Sequence, residues 1–416
     1  MMARRPLVLA VCLALIVAAR MLQGFSGGLL MPLSLTLLLR LFPKEKAALA
    51  NGLWAVTTLV APVVGPILGG WLCDNYTWPW AFYLNAPIAF IGAAVVAQVL
   101  WTKHTCSDRT LIDTVGLGLL ILWVTALQVM LDKGKDLDWF ASDFICVLAV
   151  VVVIGFISFL IWESTEQHPI VDLRVFRHRG FSATVFTTSV AYAAFFTVNV
   201  LVPLWLQTNM GYTATWTGKT VAWMGVLAIA FTPVVIKLIG RVDSRLLIFL
   251  GVGWVGVMVL WLGTGNNDMT YWDVALPFFF MGAGLSFIIA PATGLALSSV
   301  DEKELDSAAG LMNFTRTICC AIATSLVTTA WENSIKYNRA ELAAISQPTG
   351  VINTVRDMGV PPELARGIFE RLVESQSITI ATNQILWLLA FVMFVSALSI
   401  WIAPKQARAV DTSKVH

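Results

Sequence analysis

The chain has 416 residues, of which 58% are hydrophobic and only 12% are charged, and its formal net charge at pH 7 is +2. A water-soluble core could not bury this much apolar surface, which includes 17 Trp and 23 Phe residues. The composition therefore excludes a water-soluble globular protein and indicates a membrane protein.

Apolar runs long enough to cross a bilayer, about 20 residues each, recur along the whole chain. They lack the alternation of an outer-membrane barrel, and a helix satisfies its own backbone in lipid, so we predict an all-α polytopic membrane protein. The eleven predicted spans are 12–40, 49–73, 80–101, 113–131, 144–162, 180–207, 216–239, 246–263, 273–298, 307–331 and 381–403. A long polar loop is predicted between the last two spans, over 332–380.

The loops between these spans carry Lys and Arg in alternating excess, and the more basic loops are assigned to the cytoplasm. By this rule the C-terminal tail, with Lys405 and Arg408, is cytoplasmic, and the loop 332–380 is outside. Eleven spans then place the basic N-terminus outside, which the same rule disfavours. We therefore expect either that helices are missing at the front or that residues 6–19 form an extra membrane element.

No metal or cofactor site is predicted from the cysteines and histidines, which have neither metal-type spacing nor a helical pairing. The triplet Gly218-Lys219-Thr220 ends like a nucleotide-binding loop, but residue 213 is Thr where that motif needs glycine. We expect no hydrolase and no nucleic-acid partner. A carrier driven by a gradient and a passive pore remain.

Short internal matches favour the carrier. The pattern at 50–53 recurs at 308–311, an offset of 258 residues, and Pro32 recurs as Pro291, an offset of 259 residues. A shared offset between spans of similar hydropathy suggests parallel half-repeats, which are typical of transporters.

The second span contains the segment APVVGPILGG, in which helix breakers stand inside an apolar run. On one helix Ala61, Gly65 and Gly69 lie four residues apart and form a stripe of small residues, against which a second helix can pack closely. Pro62 and Pro66 each remove a backbone N–H and bend the helix. We predict a kinked seam in which Gly65 and Gly69 contact a neighbouring helix.

Three motifs together resemble drug:proton antiporters of the major facilitator superfamily. The segment G-P-x-x-G-G resembles the antiporter motif on the fifth family helix, and W-x-W-x-F-x-x-N-x-P-I resembles the signature of the branch with fourteen helices, the EmrB type. R-x-x-Q-G resembles the motif on the fourth helix, and the segments 132–140, 211–216 and 313–317 also resemble this branch. The matching residues are Arg20, Gln23, Gly24, Gly65, Pro66, Gly69, Gly70, Trp78, Trp80, Asn85 and Pro87.

The resemblance implies a major facilitator fold in which the first predicted span is family helix four. The N-terminal half is then incomplete, because the first three family helices are absent. Residues 1–101 would form this partial helical half, 102–179 would carry two inserted helices, and 180–416 would form the C-terminal half of six helices.

The resemblance implies a multidrug efflux transporter, and not an enzyme, that exchanges hydrophobic or amphipathic compounds for protons by alternating access. It assigns Arg20, with Gln23 and Gly24, to the proton-coupling and substrate pathway. We expect Arg20 to face the bundle interior, because a charge in a span costs roughly 2.5–3.5 kcal/mol on insertion scales. For Asn313 and Arg316, a substrate contact and a structural hydrogen bond both remain open.

The predicted spans hold no Asp or Glu away from their ends. A proton-coupled exchanger needs a group that binds a proton in the membrane, and buried carboxylates usually fill this role. The coupling acid is therefore missing from the chain or is a residue at a membrane edge.

The implied partners are small hydrophobic drugs, protons, the lipid bilayer of a bacterial inner membrane and a periplasmic membrane-fusion adaptor protein. Two other interpretations remain open. One is a truncated, transport-inactive remnant of such an exporter, and the other is a channel or lipid-handling protein on the same fold. Independently of these, Trp71, Tyr76, Trp78 and Trp80 are predicted to form an interfacial aromatic belt, and Lys219 is predicted to reach the outer membrane edge.

Overall fold

A computed structural model describes residues 4–43, 46–77, 79–101, 113–166, 169–239, 241–301, 304–345 and 361–405. Twelve α-helices account for most of these residues. They are α1 (Arg4–Leu41), α2 (Ala47–Asn75), α3 (Trp80–Tyr83), α4 (Asn85–Trp101), α5 (Thr114–Gly134), α6 (Asp143–Thr165), α7 (Arg179–Thr208), α8 (Ala214–Leu238), α9 (Ser244–Leu262), α10 (Tyr271–Ser298), α11 (Leu305–Ile345) and α12 (Pro362–Ser399). Short 3-10 turns occupy Trp139–Ala141, Leu173–Arg177 and Ile400–Ile402.

Each predicted span coincides with a helical segment, and only the third is divided, between α3 and α4. Within the described residues, nine helices are long and apolar enough to cross a membrane, and α4 is a shorter apolar helix. The prediction of an all-α polytopic membrane protein is confirmed.

The prediction of a long polar loop over 332–380 is wrong for the residues that the structure describes. Helix α11 continues to Ile345 and α12 begins at Pro362, so both flanks of the segment are helical, while 346–360 lie outside the described residues. A hydrogen bond joins the α11 extension to the predicted last span within α12, because Asn338 Nδ2 donates to Gln384 Oε1 at 3.2 Å. The polar residues indicated that the segment leaves the lipid, but polar residues do not by themselves end a helix.

Helices α7 to α12 enclose the main hydrophobic core. Leu201, Ile248, Phe278, Met281 and Met393 come from four of these helices and are fully buried. The apolar side chains on the outer faces of the same helices are exposed and form the surface that lipid would cover.

A second, smaller cluster connects the first two helices to this core. Leu35 of α1 and Trp54 of α2 pack with Phe181 of α7 and Ala308 of α11. In addition, Asn51 Nδ2 donates a buried hydrogen bond of 2.8 Å to a carbonyl oxygen of α10. The N-terminal helices are thus joined to the C-terminal six by both apolar and polar contacts.

The helices α2 and α8 approach each other at backbone distance. A Cβ on Gly218 would lie 2.2 Å from the carbonyl oxygen of Pro66, and a Cβ on Gly70 would lie 2.5 Å from the carbonyl oxygen of Ala214. Both obstructing atoms belong to the main chain, so a side chain at either glycine would force the helices apart. We call this contact the α2–α8 seam.

The seam lies on a different face of α2 from the one predicted. The expected contacts of Gly65 and Gly69 are wrong, because a Cβ at either position would meet nothing within 4 Å. The contacting residues, Pro66 and Gly70, have the same spacing one position further along the chain, roughly 100° around the helix axis. The side chains of Ala61 and Pro62 lie outside the described residues.

The inserted helices α5 and α6 pack closely on each other and attach to α11. A Cβ on Gly155 of α6 would lie 2.9 Å from the Cβ of Trp123 on α5. The attachment to α11 includes an ion pair between Lys135 and Glu332 and a hydrogen bond of 2.7 Å from Ser325 Oγ to a carbonyl oxygen of α5. The division of the chain at residues 101 and 179 stays a prediction.

Candidate transport cavity

A cavity of about 470 Å³ lies between α2, α7 and α8, directly beside the α2–α8 seam. Its α2 wall consists of Pro66, Gly69, Gly70 and Cys73. Gly69 makes no close contact and faces this open space. Because it has no side chain, it widens the cavity and does not bring a second helix closer. A residue of the predicted antiporter motif therefore lines a cavity instead of a helix contact.

The α7 wall is aromatic, with two amide side chains. Tyr192 and Phe195 line one part of this wall, and Asn199 and Gln207 line the part nearer to the C-terminal end of α7. Asn199 Nδ2 donates to the carbonyl oxygen of Phe195 at 2.9 Å, while Asn199 Oδ1 is buried with no hydrogen-bond partner among the described residues. An apolar cavity with a few polar groups is typical of small-molecule sites.

Arg316 of α11 packs against Tyr192, a residue of the cavity wall, and has Asn313 as its hydrogen-bond partner. Arg316 Nη2 donates to Asn313 Oδ1 at 2.7 Å, and the guanidinium carbon lies 4.7 Å from the centroid of the Tyr192 ring. Tyr192 itself lines the cavity. The two predicted site residues on α11 are thus brought together, with one aromatic ring between the charge and the open space.

Arg20 does not face the bundle interior, contrary to the expectation. It is exposed, its Nη1 donates to Gln23 Oε1 at 2.7 Å, and its guanidinium carbon lies 4.2 Å from the centroid of the Phe82 ring. Gly24 is also exposed, and a Cβ there would meet nothing within 4 Å. The physical reason is that α2, α7 and α11 pack on α1 near Leu35, toward one end of the helix, and leave Arg20 exposed.

Trp80 of the W-x-W signature lies in an exposed aromatic cluster and does not line the cavity. The ring centroids of Trp71 and Tyr76 are 5.3 Å apart, and those of Tyr76 and Trp80 are 6.0 Å apart. Asn85 and Pro87 are exposed on α4, whereas Trp78 lies outside the described residues. This exposed row of rings has the arrangement expected for an interfacial belt.

Lys219 also lies away from the cavity. Its side chain is exposed, and its Nζ lies 4.9 Å from the centroid of the exposed Trp216 ring. A lysine on the outside of the bundle with an aromatic partner fits the predicted position at a membrane edge.

Sequence reasoning missed Asp74, which joins the end of α2 to the start of α8. Asp74 Oδ2 accepts a hydrogen bond of 2.8 Å from the backbone N–H of Thr215. The hydroxyl and the N–H of Thr215, which both face the carboxylate, hold the pKa of Asp74 below its usual range. Two features of the sequence could have indicated this contact. Asp74 is an acid at the end of one predicted span, and Thr213 is a helix-capping residue at the start of another.

We predict that acid weakens this contact. Because the folded chain lowers the pKa of Asp74, its contribution to stability is present above the unfolded pKa and is lost as the pH falls through the folded value, below about pH 4. Asp74→Ala should therefore unfold at a lower temperature than the wild type near neutral pH, and the difference should shrink in acid. Thermal unfolding in detergent measures this. Glu370→Ala, at an exposed position, is the control, and a difference independent of pH would contradict the prediction.

The helical fold agrees with the comparisons to known proteins. A family model described as the Major Facilitator Superfamily matches residues 6–324, and the chain belongs to this superfamily of membrane transporters. Over 397 residues the chain is 35% identical to Multidrug export protein EmrB of Escherichia coli strain K12, an alignment that covers 94% of the chain and 78% of that protein.

Two further relatives have similar coverage. The chain is 34% identical over 394 residues to Fatty acid resistance protein FarB of Neisseria gonorrhoeae, covering 93% of the chain and 78% of FarB. It is 34% identical over 395 residues to Probable multidrug resistance protein EmrY of Escherichia coli strain K12, covering 92% of the chain and 76% of EmrY. The chain is therefore an EmrB-type, multi-pass transporter protein of the superfamily, and the major facilitator fold is confirmed.

Proposed function

We propose that the chain is a multidrug efflux transporter of a bacterial inner membrane, with a cytoplasmic C-terminus. It exchanges hydrophobic or amphipathic compounds for protons by alternating access, and it is not an enzyme. The observation that carries this proposal is the cavity between α2 and the pair α7 and α8, because α2 belongs to the predicted N-terminal half and α7 and α8 to the C-terminal half. Transporters of this class bind substrate between halves.

The chemistry of the cavity supports a hydrophobic or amphipathic substrate. The walls are largely apolar, and the few polar lining residues include Asn199, Gln207, Thr217 and Tyr192, with the charge of Arg316 against the Tyr192 ring. The printed names of the relatives, which refer to multidrug export and to fatty acid resistance, agree with such compounds. Among the predicted site residues, Asn313 and Arg316 stand on the substrate side.

Proton coupling and assembly are further parts of the proposal. Arg20, Gln23 and Gly24 are assigned to the proton-coupling pathway on the resemblance alone, and a periplasmic membrane-fusion adaptor protein is proposed as a partner on the same basis. Neither assignment rests on a contact within the cavity.

The decisive experiment uses the purified chain in proteoliposomes with an acidic interior. An antiporter accumulates a hydrophobic fluorescent dye inside as protons leave, so dye uptake and alkalinisation of the lumen should occur together and should saturate with dye. Uptake without saturation or proton movement would indicate the channel or lipid-handling interpretation. No uptake from a folded protein would indicate the transport-inactive remnant.

Cys73 offers a test of the cavity itself, because it lines the cavity and its thiol is free and exposed. A bound substrate should shield this thiol. We expect a saturating transported dye to slow the reaction of Cys73 with N-ethylmaleimide several-fold, as measured by mass spectrometry of the labelled peptides. Cys146 on α6 is the internal control, since it does not line the cavity. Equal protection of both thiols, or of neither, would contradict binding at this site.

A further inference from the structure

Glu163, near the end of α6, is a carboxylic acid that the cavity does not use. Only 2% of its surface is exposed, and it lies where α5, α6 and the segment that leads into α7 meet. Its Oε2 accepts a hydrogen bond of 3.3 Å from the backbone N–H of Val171, but its Oε1 has no hydrogen-bond partner among the described residues. An ionised carboxylate is strongly disfavoured when one oxygen is buried without a donor.

A second carboxylate, that of Asp113, faces the same space from the start of α5. Its Oδ1 accepts hydrogen bonds of 3.0 and 2.9 Å from the N–H groups of Val115 and Gly116, and its Oδ2 accepts one of 2.9 Å from the indole N–H of Trp162. These three donors satisfy both oxygens of Asp113, and two of them are N–H groups in the first turn of α5. The two acids therefore have opposite environments.

Gly116 allows the two carboxyl groups to face each other. A Cβ at this glycine would lie 2.3 Å from Asp113 Oδ2 and 2.7 Å from Glu163 Oε1, so both oxygens occupy the space that a side chain would fill. The unpartnered oxygen of Glu163 thus points toward a carboxylate that has its own donors.

The charged groups that act on Glu163 within the described residues are both negative. They are Asp113, which caps the start of α5, and Glu166, just beyond the end of α6. The segment that leads into α7 directs the backbone N–H groups of residues 170 and 171 toward Glu163. The basic residues of this segment, Arg174 and Arg177, are exposed. Two negative neighbours and an open oxygen favour a carboxyl group that keeps its proton.

We propose that Glu163 is a proton-binding site of the inserted helix pair. It holds one proton at neutral pH, and the resulting O–H donates to the ionised carboxylate of Asp113. Release of this proton to water leaves two facing carboxylates that repel each other. The repulsion separates the end of α6 from the start of α5 and loosens the segment that runs from Val171 into α7.

This site is distinct from the cavity and from Arg20, and its existence does not depend on drug transport. The inserted helices contact α11 through Trp123, whose ring centroid lies 6.2 Å from that of Phe314, next to Asn313 and Arg316. Proton occupancy at Glu163 therefore acts on a helix pair that packs against the substrate side of the bundle.

Infrared spectroscopy of the purified full-length chain tests the proposal directly. At neutral pH the wild type should show the C=O stretching band of a protonated carboxyl group, and Glu163→Gln, which resembles the protonated form in shape and donor capacity, should lack it. Glu374→Gln removes an exposed carboxyl group and should keep the band. Identical spectra of the wild type and a folded Glu163→Gln at neutral pH would overturn the proposal.

Asp113→Asn supplies a second variant that does not alter Glu163. Asn caps a helix as well as Asp does, so α5 should keep its start while the negative neighbour is removed. The carboxyl band should then disappear at a lower pH than in the wild type. An unchanged midpoint would refute the pairing of the two acids.

Stability provides a third readout. The wild type and Glu163→Gln should unfold at the same temperature near pH 5, whereas at about pH 9 the wild type should unfold roughly 2–4 °C lower. A difference that is the same at both pH values would show that the substitution acts through packing and not through a proton.

Discussion

Gly218→Ala is expected to abolish transport and to destabilise the chain, because the added methyl group would lie 2.2 Å from the carbonyl oxygen of Pro66. A main-chain oxygen cannot rotate away like the end of a side chain, so α2 and α8 would have to separate. Overpacking of this kind costs about 1–3 kcal/mol. Dye accumulation in proteoliposomes and the midpoint of thermal unfolding measure the two effects.

The matched control is Gly65→Ala, the same chemical change on the same pair of helices. A Cβ at Gly65 meets nothing within 4 Å and the position is exposed, so transport should be unchanged. Gly70→Ala, which places a methyl group 2.5 Å from the carbonyl oxygen of Ala214, should behave like Gly218→Ala. If all three variants transport normally, the α2–α8 seam is not required for function.

Arg316→Leu is the second substitution with a large expected effect. The guanidinium donates to Asn313 at 2.7 Å and lies against the ring of Tyr192, which lines the cavity. Loss of hydrogen bonds to a charged group costs about 1.5–3 kcal/mol each, so transport should fall roughly tenfold to a hundredfold. Initial rates of dye uptake at several dye concentrations would show whether binding or turnover is affected.

Lys219→Leu is the control for Arg316→Leu, since Lys219 is an exposed cation in a span and stacks on Trp216. It should transport at the wild-type rate. Arg316→Lys keeps the charge but not the fork of donors, and it should fall between the wild type and Arg316→Leu. Normal transport by Arg316→Leu would assign Arg316 a purely structural hydrogen bond.

The positions of the helices could be predicted from the sequence because apolar length is almost the only requirement for crossing lipid. Helix ends were harder to predict, since α11 and α12 continue as polar helices where the amino acids indicated a loop. A polar residue indicates contact with water. A helix that extends outside the membrane has the same contact as a loop, so polarity does not distinguish the two.

The candidate site shows a similar limit. The segment around Gly65 predicted a close helix contact, and a close contact exists, but on the face of Pro66 and Gly70. The sequence favoured the stripe of Gly65 and Gly69, whereas the contact is made by the carbonyl oxygen of Pro66 and by Gly70, and this choice of face depends on the partner helix α8. Likewise, nothing near Glu163 in the sequence indicates Asp113, which lies fifty positions earlier.

Helix α11 has 41 residues, which corresponds to roughly 60 Å at the rise of an α-helix, about twice the thickness of the hydrocarbon layer. Its distal half therefore extends as one continuous helix beyond the length that a single crossing of the hydrocarbon layer requires. A tilt of about 10° would displace the tip by roughly 5 Å over the protruding length. Spin labels at Glu341 and at an exposed position on α9 would convert small rearrangements within the lipid into measurable changes of distance in water.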